Sequence, residues 1–176
     1  YGIGILKANK IPNPYLDSEI LLSESIKKDK KYIILNSKEI LNRKQLDRFN
    51  NFIQRRKKGE PIAYLIKKKE FWRDEFYVSK DVLIPRPDTE LIVEQVLKIY
   101  SKESRLRVLD IGTGSGCILL SILKERLNFY GTGIDISKKS INVSKFNADR
   151  LHLTNRTKFI HSSVDNFKIG KYDLVV

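Results

Sequence analysis

Arg107-Val108-Leu109-Asp110-Ile111-Gly112-Thr113-Gly114-Ser115-Gly116-Cys117-Ile118 reads as a strand, a glycine turn and the opening of a helix. Val108, Leu109 and Ile111 form the short apolar run that a buried parallel strand needs, and Cys117 to Leu123 continue with apolar residues compatible with a helix. Between them three glycines stand at alternate positions, so the backbone can take positive φ and come within contact distance of a ligand. The helix that follows turns its first free amides toward the same space.

Spacing limits what such a turn can hold. A dinucleotide fingerprint needs Gly-x-Gly-x-x-Gly, and here Cys117 stands where the third glycine would fall. No Gly-Lys-Ser/Thr follows, which excludes a Walker-type phosphate loop. The order Asp-x-Gly-x-Gly-x-Gly from Asp110 resembles instead the nucleoside-methionine pocket of S-adenosylmethionine-dependent methyltransferases. That ligand carries no phosphate, and it asks only that ribose and methionine lie against bare backbone. A glycine turn that is merely a tight strand-to-helix connection is the plain alternative.

At 176 residues and 41% hydrophobic composition, the chain can hold one ordinary core, or a small helical domain with part of a larger one. It has no methionine, opens at Tyr1 and closes on Lys171-Tyr172-Asp173-Leu174-Val175-Val176, a strand pattern, so we expect a fragment cut at both ends. No apolar run is long enough to cross a bilayer and no signal-peptide pattern opens the chain. A single cysteine excludes an internal disulfide framework and fits a reducing cytoplasm. Cys117 is expected to be a small packed residue, with a reactive thiol at a helix start as the alternative.

The formal charge is +13, from 34 basic and 21 acidic residues. It is spread over both halves, with local clusters at Lys27-Lys28-Asp29-Lys30-Lys31, Arg55-Arg56-Lys57-Lys58 and Lys67-Lys68-Lys69. Each reads first as a solvated helix end or loop, and second as a basic surface for RNA or a ribosome-associated partner.

Residues 1 to about 66 read as helical. Tyr15 to Ile26 carries Leu16, Ile20 and Leu21 on one stripe, with Asp17 and Ser18 near its start. A second helix, Lys38 to Lys58, places Leu46, Phe49, Phe52, Ile53 and Arg56 at three-and-four spacing and ends in lysines before Gly59. Glu70-Phe71-Trp72 and Phe76-Tyr77-Val78 around Arg73-Asp74-Glu75 predict a hairpin. Leu83-Ile84-Pro85-Arg86-Pro87-Asp88-Thr89-Glu90 is stiffened by two prolines, and Asp88 or Thr89 can cap a helix carrying Leu91, Ile92, Val96 and Ile99. This segment is a rigid linker or a strap across a pocket mouth, with Arg86 set against a carboxylate.

From Arg107 onward strand and helix alternate: strand to Ile111, helix Cys117 to Arg126, strand Phe129 to Asp135, helix Lys138 to Leu151, strands Lys158 to His161 and Tyr172 to Val176. This predicts an α/β fold with a parallel, doubly wound sheet. Asp135 falls at the carboxyl end of the second strand, where an acid can accept both hydroxyls of a ribose. The plain alternative is a cap for the helix that follows Ile136-Ser137.

Phe71-Trp72, Gly59-Glu60-Pro61-Ile62-Ala63-Tyr64-Leu65, Ile84-Pro85-Arg86-Pro87-Asp88-Thr89-Glu90, the glycine stretch and Asp135 together resemble the HemK/PrmC family, from about Asp17 to Val176. These are the protein N(5)-glutamine methyltransferases that modify the Gly-Gly-Gln motif of peptide chain release factors. The resemblance implies a helical substrate-docking domain at 1–69, a β-hairpin linker at 70–84 and the N-terminal part of a Rossmann-like, class I S-adenosyl-L-methionine-dependent methyltransferase domain at 85–176. It places Gly112, Thr113, Gly114, Ser115 and Gly116 along the methionine and ribose and Asp135 on the ribose hydroxyls. Asp110, Arg86 and Ser163 are further cofactor candidates.

The family has an acid followed by an aromatic near the adenine, where this chain has Ser162-Ser163-Val164 and then Asp165. The family's Asn-Pro-Pro-Tyr, which aims the amide nitrogen at the methyl group, is expected beyond Val176. No catalytic residue is therefore assigned within the chain, and these residues alone are expected to transfer no methyl group. The resemblance further implies a cytoplasmic monomer with a release factor as protein substrate, no metal and no membrane. The open alternatives are a ribosomal-protein glutamine or nucleic-acid amino methyltransferase, a nicotinamide oxidoreductase, which the glycine spacing disfavours, and a non-catalytic basic RNA-binding module.

Overall fold

Pro14 presets φ for the first turn of one helix, and Asn42 caps another through a reciprocal pair of hydrogen bonds with Gln45. These local signals frame the N-terminal part of the chain. The computed structural model describes residues 1–176, in two units, Tyr1–Ile66 and Lys67–Val176.

The first unit contains α1 (Gly2–Ala8), α2 (Pro14–Ile26), α3 (Lys30–Leu35), α4 (Arg43–Arg56) and α5 (Ile62–Ile66). Leu6, Leu21, Phe49, Phe52, Ile53 and Leu65 form its core. The helix predicted from Lys38 starts at Arg43, because Asn42 Oδ1 accepts from Gln45 N at 3.0 Å and Gln45 Oε1 from Asn42 N at 3.0 Å. Gly59 takes φ +89° just past the helix end, in keeping with its expected terminating role.

Two residues of the predicted stripes, Leu16 and Leu46, are exposed. On α2 the buried line runs instead through Asp17, Ser18, Leu21 and Ser25. Asp17 holds that place because its carboxylate accepts from Arg56 Nε at 2.7 Å, so Arg56 reaches the interior as an ion-pair partner.

The second unit opens with an antiparallel hairpin, β1 (Lys68–Phe71) and β2 (Asp74–Tyr77). Trp72, expected in the strand, lies in the turn at φ +58° and donates its indole Nε1–H to Glu125 at 2.9 Å. After a short 3-10 turn at Pro87–Thr89 come α6 (Glu90–Ile99), β3 (Arg107–Ile111), α7 (Cys117–Glu125), β4 (Tyr130–Asp135), α8 (Lys138–Arg150), β5 (Thr157–His161) and β6 (Leu174–Val175).

The predicted caps of α6 are not used as such: neither the Asp88 nor the Thr89 side chain caps it, and Glu90 accepts from Trp72 N at 2.9 Å. The buried face of α6 is Val93 and Val96, while Leu91, Ile92 and Ile99 are exposed. Of the apolar stripe read from sequence, only Val96 points inward.

The four strands pair in parallel in the order β5-β4-β3-β6. This is the α/β, Rossmann-like arrangement expected from the alternation of elements. Val108, Leu119, Leu120, Ile122, Leu123 and Phe129 pack between sheet and helices with Phe71 and Phe76 of the hairpin. Gly131 and Gly133 make that closeness possible, since a Cβ at Gly131 would lie 2.6 Å from Leu119 Cδ1 and one at Gly133 2.7 Å from Phe159 Cδ1.

Candidate functional site

The carboxyl ends of β3 and β4 lie side by side, with Asp110 paired to Gly133 and Ile111 to Ile134. The chain leaving β3 turns at once into the glycine loop. Gly112, Gly114 and Gly116 all have positive φ, at +75°, +55° and +80°. Their surroundings differ. A Cβ on Gly112 would meet nothing within 4 Å and one on Gly114 only a backbone oxygen at 3.8 Å, so open space lies in front of both. At Gly116 it would press on Leu120 Cδ1 at 3.0 Å and Ser144 Cβ at 3.2 Å. The first two glycines thus leave room for a ligand, and the third lets α7 and α8 approach.

The loop is tied down by its own amides. Gly112 N and Thr113 N both donate to Ile134 O at 2.9 Å, Gly116 N donates to Thr113 O at 2.7 Å, and Gly114 N donates to Asp135 Oδ2 at 3.0 Å. Amides spent in this way are not offered to a phosphate, which agrees with the failed dinucleotide spacing. Asp135 also accepts from Ser137 N through Oδ1 at 2.8 Å. Each carboxylate oxygen carries one protein hydrogen bond and keeps a lone pair, and the side chain is half-buried at the strand end. The helix-cap role considered for Asp135 falls to Ser137, whose side chain accepts from Ser140 N.

Asp110 is placed differently. It is 2% exposed, and its carboxylate accepts from Thr113 Oγ1 at 2.7 Å and from the Leu119 amide. It ties the loop to the first turn of α7 from below. Burial pushes its carboxyl up from 3.8 to about 6, with Asp135 adding to the rise and the two hydrogen bonds opposing it. The folded state therefore holds this proton more tightly than the unfolded chain does. The associated stability is fully present below the unfolded value and is lost as pH rises through the folded one. Denaturant titrations of the wild type should lose up to about 3 kcal/mol relative to Asp110→Asn between about pH 4 and pH 7. Parallel pH profiles for the two proteins would refute the assignment.

Thr113 and Ser115 are buried at 6% and 3% exposure, so their side chains brace the loop while its glycine backbone faces outward. Ser162 N donates to Asp135 O at 3.0 Å, which brings the segment after β5 next to the acid, and Ser163 is half-buried there. Asp165 and Arg86 are exposed, and Arg86 makes no ion pair with a protein carboxylate. Cys117 is packed as expected, and burial pushes its thiol up to about 11, which removes the reactive alternative.

Sequence reasoning missed Asn147. It is 1% exposed; its Nδ2 donates to Tyr77 O at 3.0 Å and Ser115 O at 2.9 Å, and its Oδ1 accepts from Tyr77 N at 2.8 Å. One amide on α8 thus clasps the hairpin and the glycine loop together. Its only signal in the sequence is an asparagine at helical spacing from Ser140 and Ser144, which are also buried.

The basic residues divide into spent and free. Lys27 pairs with Glu24, Lys30 with Glu19, Arg55 with Glu60, Arg56 with Asp17 and Lys68 with Glu75, so each of the three clusters is neutralised in part by an acid on its own unit. Arg126 and Arg156 donate to backbone carbonyls at the ends of α6 and α7. No group of His, Cys, Asp and Glu could hold a metal ion, and no helix is long and apolar enough to cross a membrane.

Comparison with known proteins bears on both units. The PrmC N-terminal domain matches residues 1–66 and a methyltransferase domain matches residues 102–176. The chain is 40% identical over 172 residues to the release factor glutamine methyltransferase of Buchnera aphidicola subsp. Acyrthosiphon pisum, covering 98% of this chain and 61% of the relative. It is 45% identical over 168 residues to the protein of that name from Buchnera aphidicola subsp. Baizongia pistaciae, covering 93% and 59%. A bifunctional methyltransferase of Rickettsia conorii is 37% identical over 197 residues, covering 97% of this chain and 38% of its own. Among solved structures, YjhP from E. coli overlaps 52% of this chain and 38% of its own at 29% identity, with a TM-score of 0.45. The chain spans about three fifths of the length of the release factor glutamine methyltransferases it matches. Both domain matches fall in one chain, and sequence identity to the release factor glutamine methyltransferases runs through each of them and through the residues that link them.

Proposed function

We propose that the second unit binds S-adenosyl-L-methionine at the carboxyl ends of β3 and β4, and that the protein carrying it methylates the side-chain amide of the glutamine in the Gly-Gly-Gln motif of peptide chain release factors. The observation that carries the reading is the open backbone at Gly112 and Gly114 beside the half-buried Asp135 carboxylate. Gly112 and Gly114 give methionine and ribose a surface without side chains. Asp135 has a free lone pair on each oxygen for the two ribose hydroxyls, and Gly114 N and Ser137 N fix its orientation. Asp110, Thr113 and Ser115 hold the loop from behind, and Ser163, next to the Ser162 amide that donates to Asp135 O, is the candidate for the adenine end. The bound cofactor supplies a methyl group on a sulfonium, a strong electrophile, so the protein's task is to position the acceptor nitrogen. The groups for that step belong to an Asn-Pro-Pro-Tyr segment, which these 176 residues do not contain.

The names of the relatives support a release factor as substrate, and a place in translation termination and in the cytoplasm belongs to the same proposal. The docking role falls to the helical first unit, whose PrmC N-terminal match supports it. Calorimetry with S-adenosylmethionine and its homocysteine product tests the cofactor: the chain should bind both, and nicotinamide dinucleotides not at all. Labelled methyl transfer tests the rest. Residues 1 to 176 alone should transfer none, while the chain extended by the sequence its reading frame encodes beyond Val176 should label a release factor but not its Gln→Ala variant in the Gly-Gly-Gln motif. Label appearing on RNA or a ribosomal protein instead would overturn the substrate.

A further inference from the structure

The opposite end of the same strands carries a second concave site. β3, β4 and β5 begin there, and the chain re-enters the sheet through Gly170-Lys171-Tyr172. The cleft has a volume of about 310 Å³, at the lower end of the range of roughly 300–1,000 Å³ common for small-molecule sites. Strand register brings its groups together. Arg107 pairs with Tyr130 and Thr132 with Lys158 in parallel ladders, and since partners and alternate residues share a face, Arg107, Tyr130, Thr132 and Lys158 stand on one side of the sheet. Lys171 closes the group from the loop before β6.

Its electrostatics differ from those of the other basic clusters. No acid lines the cleft, and the nearby Asp173 carboxylate accepts from the Arg107 backbone amide at 2.7 Å. Arg156, in the wall, is committed to the carbonyls of Leu123, Arg126 and Phe129. The side chains of Arg107, Lys158 and Lys171 make no ion pair. Beside these three free cations stand two aromatic rings, Tyr130 at 57% exposure and the half-buried Tyr172. Cations around a hollow bind phosphate, and exposed rings beside them stack on a flat base.

We propose that this cleft binds a phosphate-bearing ligand of nucleotide size, either a free nucleotide or one unit of a single RNA strand. It is independent of the glycine-loop site, because the five residue steps of β4 from Tyr130 to Asp135 separate the two ends by about 17 Å.

The test uses the purified chain with saturating S-adenosylmethionine and uridine-based probes, so that an adenosine pocket cannot contribute. Uridine monophosphate and a short oligouridylate should bind, inorganic phosphate should compete, and uridine without phosphate should bind at least about tenfold more weakly. The exposed pair Lys158→Glu/Lys171→Glu should weaken binding by about tenfold or more, whereas Lys7→Glu/Lys44→Glu, with the same change in net charge, should stay within about twofold. Binding of the oligonucleotide but not the monomer identifies a strand as the source, and binding of the monomer alone identifies a free nucleotide. Equal losses in the two charge-reversed proteins, or no binding of any phosphate probe, would overturn the proposal. Affinity for S-adenosylmethionine should be unchanged in every variant, which keeps failure here separate from failure of the cofactor assignment.

Discussion

Asp135→Ala is expected to weaken S-adenosylmethionine binding by a factor of about 100 or more, while the fold persists. Under the proposed function the variant would remove two charge-assisted hydrogen bonds to ribose hydroxyls, each worth about 1.5–3 kcal/mol. The variant also frees the Gly114 and Ser137 amides, which now donate to the carboxylate, so the loop loses a tether as the ligand loses its partner. Asp135→Asn separates the two contributions. It keeps one acceptor oxygen but places an NH2 group against a backbone amide or a hydroxyl, so its loss should fall between those of wild type and alanine. Calorimetry with the cofactor, alongside a thermal melt, reads both. Unchanged affinity in the alanine variant would remove Asp135 from the site.

The second large effect is expected at Asn147, and it is on stability. Asn147→Leu keeps the size of the side chain but deletes three hydrogen bonds, leaving both backbone groups of Tyr77 and the carbonyl of Ser115 without their partner. The cost should be about 3 kcal/mol or more, read from urea titration. Asn147→Asp should be worse still, because it turns a carboxylate oxygen toward two carbonyl oxygens that now receive N–H groups. Hydrogen exchange at Tyr77 should accelerate in both variants. A leucine variant as stable as wild type would mean that water takes over the clasp.

The glycine stretch and the alternation after Arg107 were legible because they rest on local rules. An apolar β-branched run, a turn that only glycine tolerates and an apolar helix are each set by neighbours in sequence. Asp135 was legible for the same reason, as an acid at the end of a strand. The stripes of α2 and α6 misled because tertiary packing chose their faces: Asp17 turns inward to reach Arg56, and Val93 displaces Leu91 and Ile92 from the core. Trp72 was drawn into a strand by its β propensity, but its indole finds a partner in Glu125 only from the turn. Asn147 could not be seen, since the groups it joins lie 32 and 70 residues away in sequence. The roles of Asp110 and Gly116 were half legible. Their place in the motif is plain, but only packing shows that one braces the loop from below and the other admits α8.

The glycine loop, with its amides already bonded to Ile134, Thr113 and Asp135, has a thermodynamic meaning beyond its shape. A run rich in glycine is ordinarily the most entropically expensive backbone to fix, and a loop that waits for its ligand takes that cost out of the binding free energy. Here folding of the sheet has already met most of it, because β4, paired with β3, supplies the Ile134 and Asp135 acceptors. The ligand proposed for Gly112 and Gly114 would meet a surface set in advance, and it could leave without the loop having to unfold.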